Sequence, residues 1–142
     1  MKRRQLLNLF GRFLPVVWTL NLPMRAVANT AEPISSILGK ILGKAQTVRS
    51  PLFTFDIPDV AENGALVPVT LSSRVPAEGF YLLAEGNPGP LLAEFHFHGN
   101  AISKASFRVK LNQSGPVQAL AKTPEGWLES ERNVRVMVGG CG

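Results

Sequence analysis

The sole cysteine of the sequence, Cys141, sits in Gly139-Gly140-Cys141-Gly142. A lone cysteine closes no internal disulfide, so its thiol is either free or joined to something outside the chain. Val134, Val136 and Val138 alternate ahead of it as a last strand would, and beyond them all side-chain bulk is lost except the thiol. Glycine has no Cβ and the widest backbone freedom. The pattern therefore predicts an arm that bends in many directions and is thin enough to enter a narrow cleft. Such an arm does not pack, which excludes a buried structural cysteine. The chemistry open to it is attachment of a cargo through sulfur. The nearby terminal carboxylate disfavours the thiolate, so activation falls to a partner's site. Two plainer readings stand beside this one: a terminus that happens to carry a cysteine, and a cysteine used for an intermolecular disulfide. An exposed free thiol is a liability in an oxidising compartment, which favours a working thiol over accident.

Other chemistry-bearing residues are few. His96 and His98 are the two histidines. In Phe95-His96-Phe97-His98, strand alternation puts both imidazoles on one face and both phenyl rings on the other. Two ligands at i, i+2 make a weak metal site with no third in view, and a polar, half-exposed sheet face is the plainer reading. Asp56, Asp59 and Glu62 gather about one turn, where carboxylates serve turn geometry and solvation. Trp127 and the phenylalanines are expected to fill the core. Hydrolytic triads, phosphate loops and paired-cysteine metal motifs are absent from the sequence. A copper site of the cupredoxin kind is excluded as well, because one residue follows Cys141 and that ligand loop needs a His and a Met beyond its cysteine. The sequence thus predicts no catalytic residue, no metal ligand and no cofactor.

The charge is uneven. The 142 residues carry 15 Lys and Arg against 10 Asp and Glu, a formal net charge of +5. Lys2, Arg3, Arg4, Arg12 and Arg25 all precede Ala28, in a stretch without Asp or Glu. Fifteen less these five leaves ten basic residues against ten acidic ones, so the basic excess belongs to the leader and a nucleic-acid partner loses its main support. In that leader, paired arginines Arg3-Arg4 precede a modestly apolar run over residues 13–23 and the small-x-small pattern Ala26-Val27-Ala28. This is the order of an export signal. The run is too short to span a bilayer and is interrupted by Pro15 and Pro23, which predicts no membrane anchor after signal removal. Paired arginines, weak hydrophobicity and Arg25 near the cleavage point are similar to a twin-arginine signal, although Lys2 and Leu6 stand where Ser or Thr and Phe are usual. The expectation is a periplasmic protein, with an ordinary secretory route or an uncleaved amphipathic leader as the alternatives.

The elements that must position Cys141 follow from the mature chain. Apolar residues between Glu32 and Lys44 recur at i, i+3, i+4, i+7 and i+8, one helical face, with Pro33 suited to the first turn and Gly43 to the end. From residue 51 the period changes. β-rich runs at 52–57, 65–71, 80–84, 91–98, 102–111, 115–122 and 127–138 alternate with turn signals such as Glu62-Asn63-Gly64 and Gly86-Asn87-Pro88-Gly89-Pro90. Seven short strands at this spacing predict an all-β, immunoglobulin-like antiparallel β-sandwich, with a small barrel as the alternative. Pro68 within a strand pattern points to an edge or a bulge. The expected organisation is an export signal at 1–28, a helical segment at 29–50, the sandwich at 51–138 and the arm at 139–142.

With these residues in view, the sequence resembles the SoxY family, the sulfur-carrier subunit of the bacterial Sox system for thiosulfate oxidation. The resemblance rests on Arg3-Arg4, the β pattern, Ala61-Glu62-Asn63-Gly64-Ala65-Leu66-Val67-Pro68-Val69, Asn87-Pro88 followed by Phe95-His96-Phe97, the approach Asn133-Val-Arg-Val-Met-Val138, and Gly139-Gly140-Cys141-Gly142. It departs from the family in ending one glycine short, which brings the carboxylate closer to the thiol. The resemblance implies that Cys141 carries sulfur intermediates covalently and that Gly139, Gly140 and Gly142 form the moving arm. It also implies a leaderless SoxZ-like β-sandwich subunit as heterodimer partner, which accounts for export of a folded complex. A c-type cytochrome enzyme would load thiosulfate, a hydrolase would release sulfate, and a molybdenum–haem dehydrogenase would oxidise the sulfane sulfur. Two other classes remain open on the residues themselves. One is a thiol-dependent enzyme, a sulfurtransferase or peroxidase, although no His or Arg adjoins Cys141. The other is a non-covalent exported adaptor.

Overall fold

The structure is a computed structural model and describes residues 31–137. One helix, α1 (Ile34–Leu42), precedes nine strands: β1 (Thr47–Arg49), β2 (Phe53–Asp56), β3 (Val60–Ala61), β4 (Val67–Ser73), β5 (Gly79–Ala84), β6 (Leu91–His96), β7 (Lys104–Val109), β8 (Gly115–Thr123) and β9 (Gly126–Val136). The strands form two facing sheets. The larger has the order β1-β9-β8-β5-β6, with β3 also paired to β9; the smaller has the order β2-β4-β7.

Alternation explains both the strands and the packing. In β4, Val67, Val69 and Leu71 are buried while Pro68, Thr70 and Ser72 are not. Phe53 and Phe55 of β2 do the same across the sheet. They meet Phe80, Leu82 and Ala84 of β5 and Val117, Ala119 and Ala121 of β8 in one core, because a residue period of two sends every second side chain to the same face. Seven of the nine strands coincide with the alternating runs of the sequence. The other two, β1 and β3, are three and two residues long and pair with β9 in parallel. They are too short to show a pattern of their own. The β8–β9 hairpin turns through Gly126, whose φ of 141° favours glycine, and Thr123 Oγ1 donates to its carbonyl at 2.7 Å.

Pro68 lies within β4, the middle strand of the smaller sheet. Its partner on β7 is Arg108, but β2 pairing ends at Thr70. Pro68 is therefore locally at an edge, where a missing N–H leaves no ladder partner unsatisfied.

The outer face of the larger sheet differs from expectation. Trp127 does not enter the core. Its register opposite Lys122 and Thr47 sets it on the outward parity, half-buried, with its ring 5.6 Å from that of Tyr81. Leu83 and Leu120 share this outward parity, yet both are fully buried, so the face is covered. In α1 the apolar residues Ile34, Ile37, Leu38, Ile41 and Leu42 are half-buried. It is the one described element outside the two sheets. Pro33 occupies the N-cap with extended φ and ψ, and Gly43, at φ 60°, ends the helix by donating its N–H to the Gly39 carbonyl at 2.9 Å. Glu129 accepts from Thr47 Oγ1 and, at 3.3 Å, from Arg49 Nε, tying β1 to β9.

Two expectations follow from this outer face. Leu120→Ala removes a fully buried side chain and should cost about 2–5 kcal/mol in chemical denaturation, as a core leucine would. Tyr81, the chain's one tyrosine, has its phenol pushed up, first by desolvation and then by the charge of Glu94. An ultraviolet titration should find its midpoint above the ordinary phenol value. Because the folded state favours the neutral phenol, this contribution to stability is complete below the unfolded tyrosine pKa and is lost as pH rises through the folded one.

Candidate functional site at the end of the last strand

Cys141, Gly139, Gly140 and Gly142 lie outside the described residues, as do Arg3 and Arg4. What the structure describes is the strand end from which residues 138–142 continue. That end is held on both sides. On one side β3 runs parallel to it, with Val60 opposite Arg135 and Ala61 opposite Val136. The Arg135 N–H donates to the Asp59 carbonyl at 2.8 Å, and the Met137 N–H donates to the Ala61 carbonyl at 3.0 Å. On the other side Ser114 takes over where β8 stops. Its Oγ accepts from the Val136 N–H at 2.8 Å and donates to the Val136 carbonyl at 3.4 Å. Every backbone donor from Arg135 to Met137 that leaves the β8 ladder thus finds an acceptor, which is what keeps a strand terminus from fraying.

Two loops brace this clamp. In the first, Asn63 Oδ1 accepts from the Ala65 N–H at 3.0 Å and its carbonyl accepts from Leu66, closing the turn that the Asn-Gly pair announced. Gly64 sits at its centre for a steric reason. A Cβ there would lie 2.6 Å from the Leu111 carbonyl oxygen and 2.8 Å from Cγ1 of Val136, and the Gly64 carbonyl accepts from the Leu111 N–H at 2.7 Å. In the second loop, Asn87 bonds both ways: its Nδ2 donates to the Lys110 carbonyl at 2.7 Å, and its Oδ1 accepts from the Asn112 N–H at 2.9 Å. Gln113 Nε2 donates back to the Gly86 carbonyl at 2.9 Å. Residue 114 is the next one along, so Asn87 and Gln113 hold the segment that presents Ser114 to β9.

Other residues singled out by sequence fall elsewhere. β6 ends at His96, and His98 lies past the strand. His96 is exposed and its Nε2 stands 2.8 Å from Glu94 Oε1, two residues back on the same face. Phe95 and Phe97 pack toward the core against Phe107 and Phe80, both with ring centroids 4.8 Å apart. Among the described residues no three His, Cys, Asp or Glu side chains converge as a metal site. Of Asp56, Asp59 and Glu62, only Asp59 touches the clamp, and it does so through its backbone. Sequence reasoning read Asn63-Gly64 as a turn and Asn87-Pro88 as a loop, and it passed over Ser114 altogether. A polar Ser between Gln113 and Gly115 carries no signal of its role until β9 is folded beside it.

A family model described as sulfur oxidation protein SoxY matches residues 38–141. This chain belongs to the SoxY family. The match begins inside α1, spans every strand and ends on Cys141. No curated protein matches the chain. Among solved structures, it is similar to the sulfur carrier protein SoxY from Chlorobium limicola f thiosulfatophilum, with a TM-score of 0.65 and 22% identity, covering 74% of this chain and 96% of the other. It is also similar to superoxide reductase (neelaredoxin) from Ignicoccus hospitalis, with a TM-score of 0.50 and 21% identity over 70% and 86% of the two chains. At these identities the likeness shows the fold alone, and two proteins so differently named on one fold place the chemistry in the site rather than in the sandwich.

The clamp predicts an asymmetry between glycines. Gly64→Ala drives a Cβ into backbone and should destabilise the domain by about 1–3 kcal/mol, with loss of amide protection at Val136 and Met137 in hydrogen exchange. Gly89→Ala, where a Cβ meets open space, should leave both measurements unchanged.

Proposed function

We propose that this SoxY-family protein is a periplasmic covalent carrier in the oxidation of thiosulfate and related sulfur compounds, with Cys141 as the attachment point. The observation that carries the reading is that the family match runs through to Cys141, four residues beyond a clamped strand end. A domain that anchors its last strand on both edges and then continues into Gly139-Gly140-Cys141-Gly142 suits presentation of one thiol away from its own surface. Tethering raises the effective concentration of the bound intermediate at each enzyme it visits and keeps reactive sulfur from being lost. The carrier needs no acid–base machinery, because the enzymes that receive the arm supply it.

In this reading the partners are a SoxZ-like β-sandwich subunit, a cytochrome that oxidatively joins thiosulfate to the thiol, a hydrolase that releases the sulfone as sulfate, and a sulfane dehydrogenase. The chain holds no cofactor beyond the sulfur intermediates on Cys141. Arg3 and Arg4 direct it to the periplasm by the twin-arginine route, folded and with its partner subunit.

Intact mass spectrometry of the mature protein from cells given thiosulfate tests the reading. Reductant-labile adducts with the mass of sulfur, sulfonate or thiosulfonate are expected, and they should be missing from Cys141→Ser. An unmodified thiol, or only a disulfide dimer, under every condition would reject it. Replacing Arg3 and Arg4 together with Lys should leave the chain in the cytoplasm, as cell fractionation would show.

A further inference from the structure

Polar and apolar residues are unevenly placed around the end of β9. Val60, Leu66 and Met137 are 45%, 60% and 51% exposed, three of the few large apolar side chains on the described surface. They are neighbours. Val60 and Leu66 line one shallow groove of about 270 Å³ together with Pro58, Ala61 and Pro68, and Met137 adjoins it through the hydrogen bond from its N–H to the Ala61 carbonyl. Exposed Asp59, Glu62 and Arg135 stand around this apolar centre. An apolar centre within a charged rim is the anatomy of a protein–protein contact surface, and clustered exposed apolar groups on a small domain mark such a surface more often than they occur by chance.

The chain itself limits what can sit there. Cys141 is four residues on from Met137, and a fully extended chain spans at most about 13–14 Å over that distance. Any active site that reaches the Cys141 sulfur must therefore bring its own rim down to the surface from which the arm starts. We propose that Val60, Leu66 and Met137 form a docking collar for the enzymes that act on Cys141, and that their common feature is an apolar rim around a cleft no deeper than the arm is long. The inference rests on the covalent-carrier reading and adds to it the surface that recognises those enzymes. The clamp supports the collar mechanically. With Met137 bonded to Ala61, the starting point of the arm is fixed relative to Val60 and Leu66, so docking on the collar aims the arm.

The test uses full-length mature protein, thiosulfate and periplasmic extract of the host, with the initial rate of adduct formation on Cys141 read by intact mass. Val60→Glu combined with Leu66→Glu should lower that rate on the order of tenfold, the loss expected for removing apolar anchors from a small interface. Alkylation of Cys141 by iodoacetamide and the thermal midpoint should stay unchanged. Ile102→Glu, at an 83% exposed apolar residue in the β6–β7 connection, should load like the wild type. Loading of the double variant at the wild-type rate overturns the collar. So does loss of a stable companion subunit from the double variant in size-exclusion chromatography, since the collar would then belong to subunit pairing. A wild-type protein that takes up no adduct would sink the carrier reading itself, a result separable from either of these.

Discussion

β9 leaves its ladder with β8 at Gly115, opposite Val134, and two residues later it would be a free end with unpaired N–H groups. What prevents this is a second set of acceptors: the Asp59 and Ala61 carbonyls on one edge and the Ser114 hydroxyl on the other. Backbone donors near a strand end must be satisfied by something, and here they are satisfied by residues whose own positions depend on distant loops. Ser114 is held by the Asn87–Gln113 braces, and β3 by a turn at Gly64 so close to Leu111 and Val136 that no side chain fits. Rigidity is thus concentrated in the last residues before a sequence of glycines.

This placement separates two duties that conflict in one segment. Recognition by other proteins needs a surface whose residues keep fixed relative positions, while delivery of a thiol into several clefts needs a narrow chain. In the proposed carrier reading, the sandwich serves the first and Gly139-Gly140-Cys141-Gly142 suits the second. The same architecture in a superoxide reductase shows that the sandwich does not dictate its chemistry; the family assignment owes its functional content to a match that reaches Cys141.

The larger sheet has a second packed face. Leu83 and Leu120 are as inaccessible as any core residue although they point away from the smaller sheet. The apolar stripe of α1 is half-buried on the described chain. A domain of this size gains appreciably from burying this second face, since each fully buried leucine contributes roughly 1.5–3 kcal/mol. Tyr81, Trp127 and His96 continue this face as an aromatic row beyond the leucines.

Local pattern was enough for much of this protein. Alternation in β2 and β4 matches their buried residues, Pro33 and Gly43 bounded the helix, and a lone cysteine among glycines stood out as the candidate attachment residue. These features are legible because each depends on neighbours within a few positions. Trp127 was read as core and proved to lie outside it, since its side of the sheet is decided by pairing with Lys122 and Thr47 rather than by its own hydrophobicity. β1 and β3 carry no period at all; they exist as strands because β9 is long enough to offer them an edge. The clamp likewise joins residues 59–64, 86–87, 111–114 and 135–137, four stretches that are far apart along the chain. Residue types alone singled out the cysteine between glycines, and the long-range pairing of the sheets decided where the last described strand ends and what surrounds that end, because hydrogen bonds between distant segments leave no periodicity in the sequence.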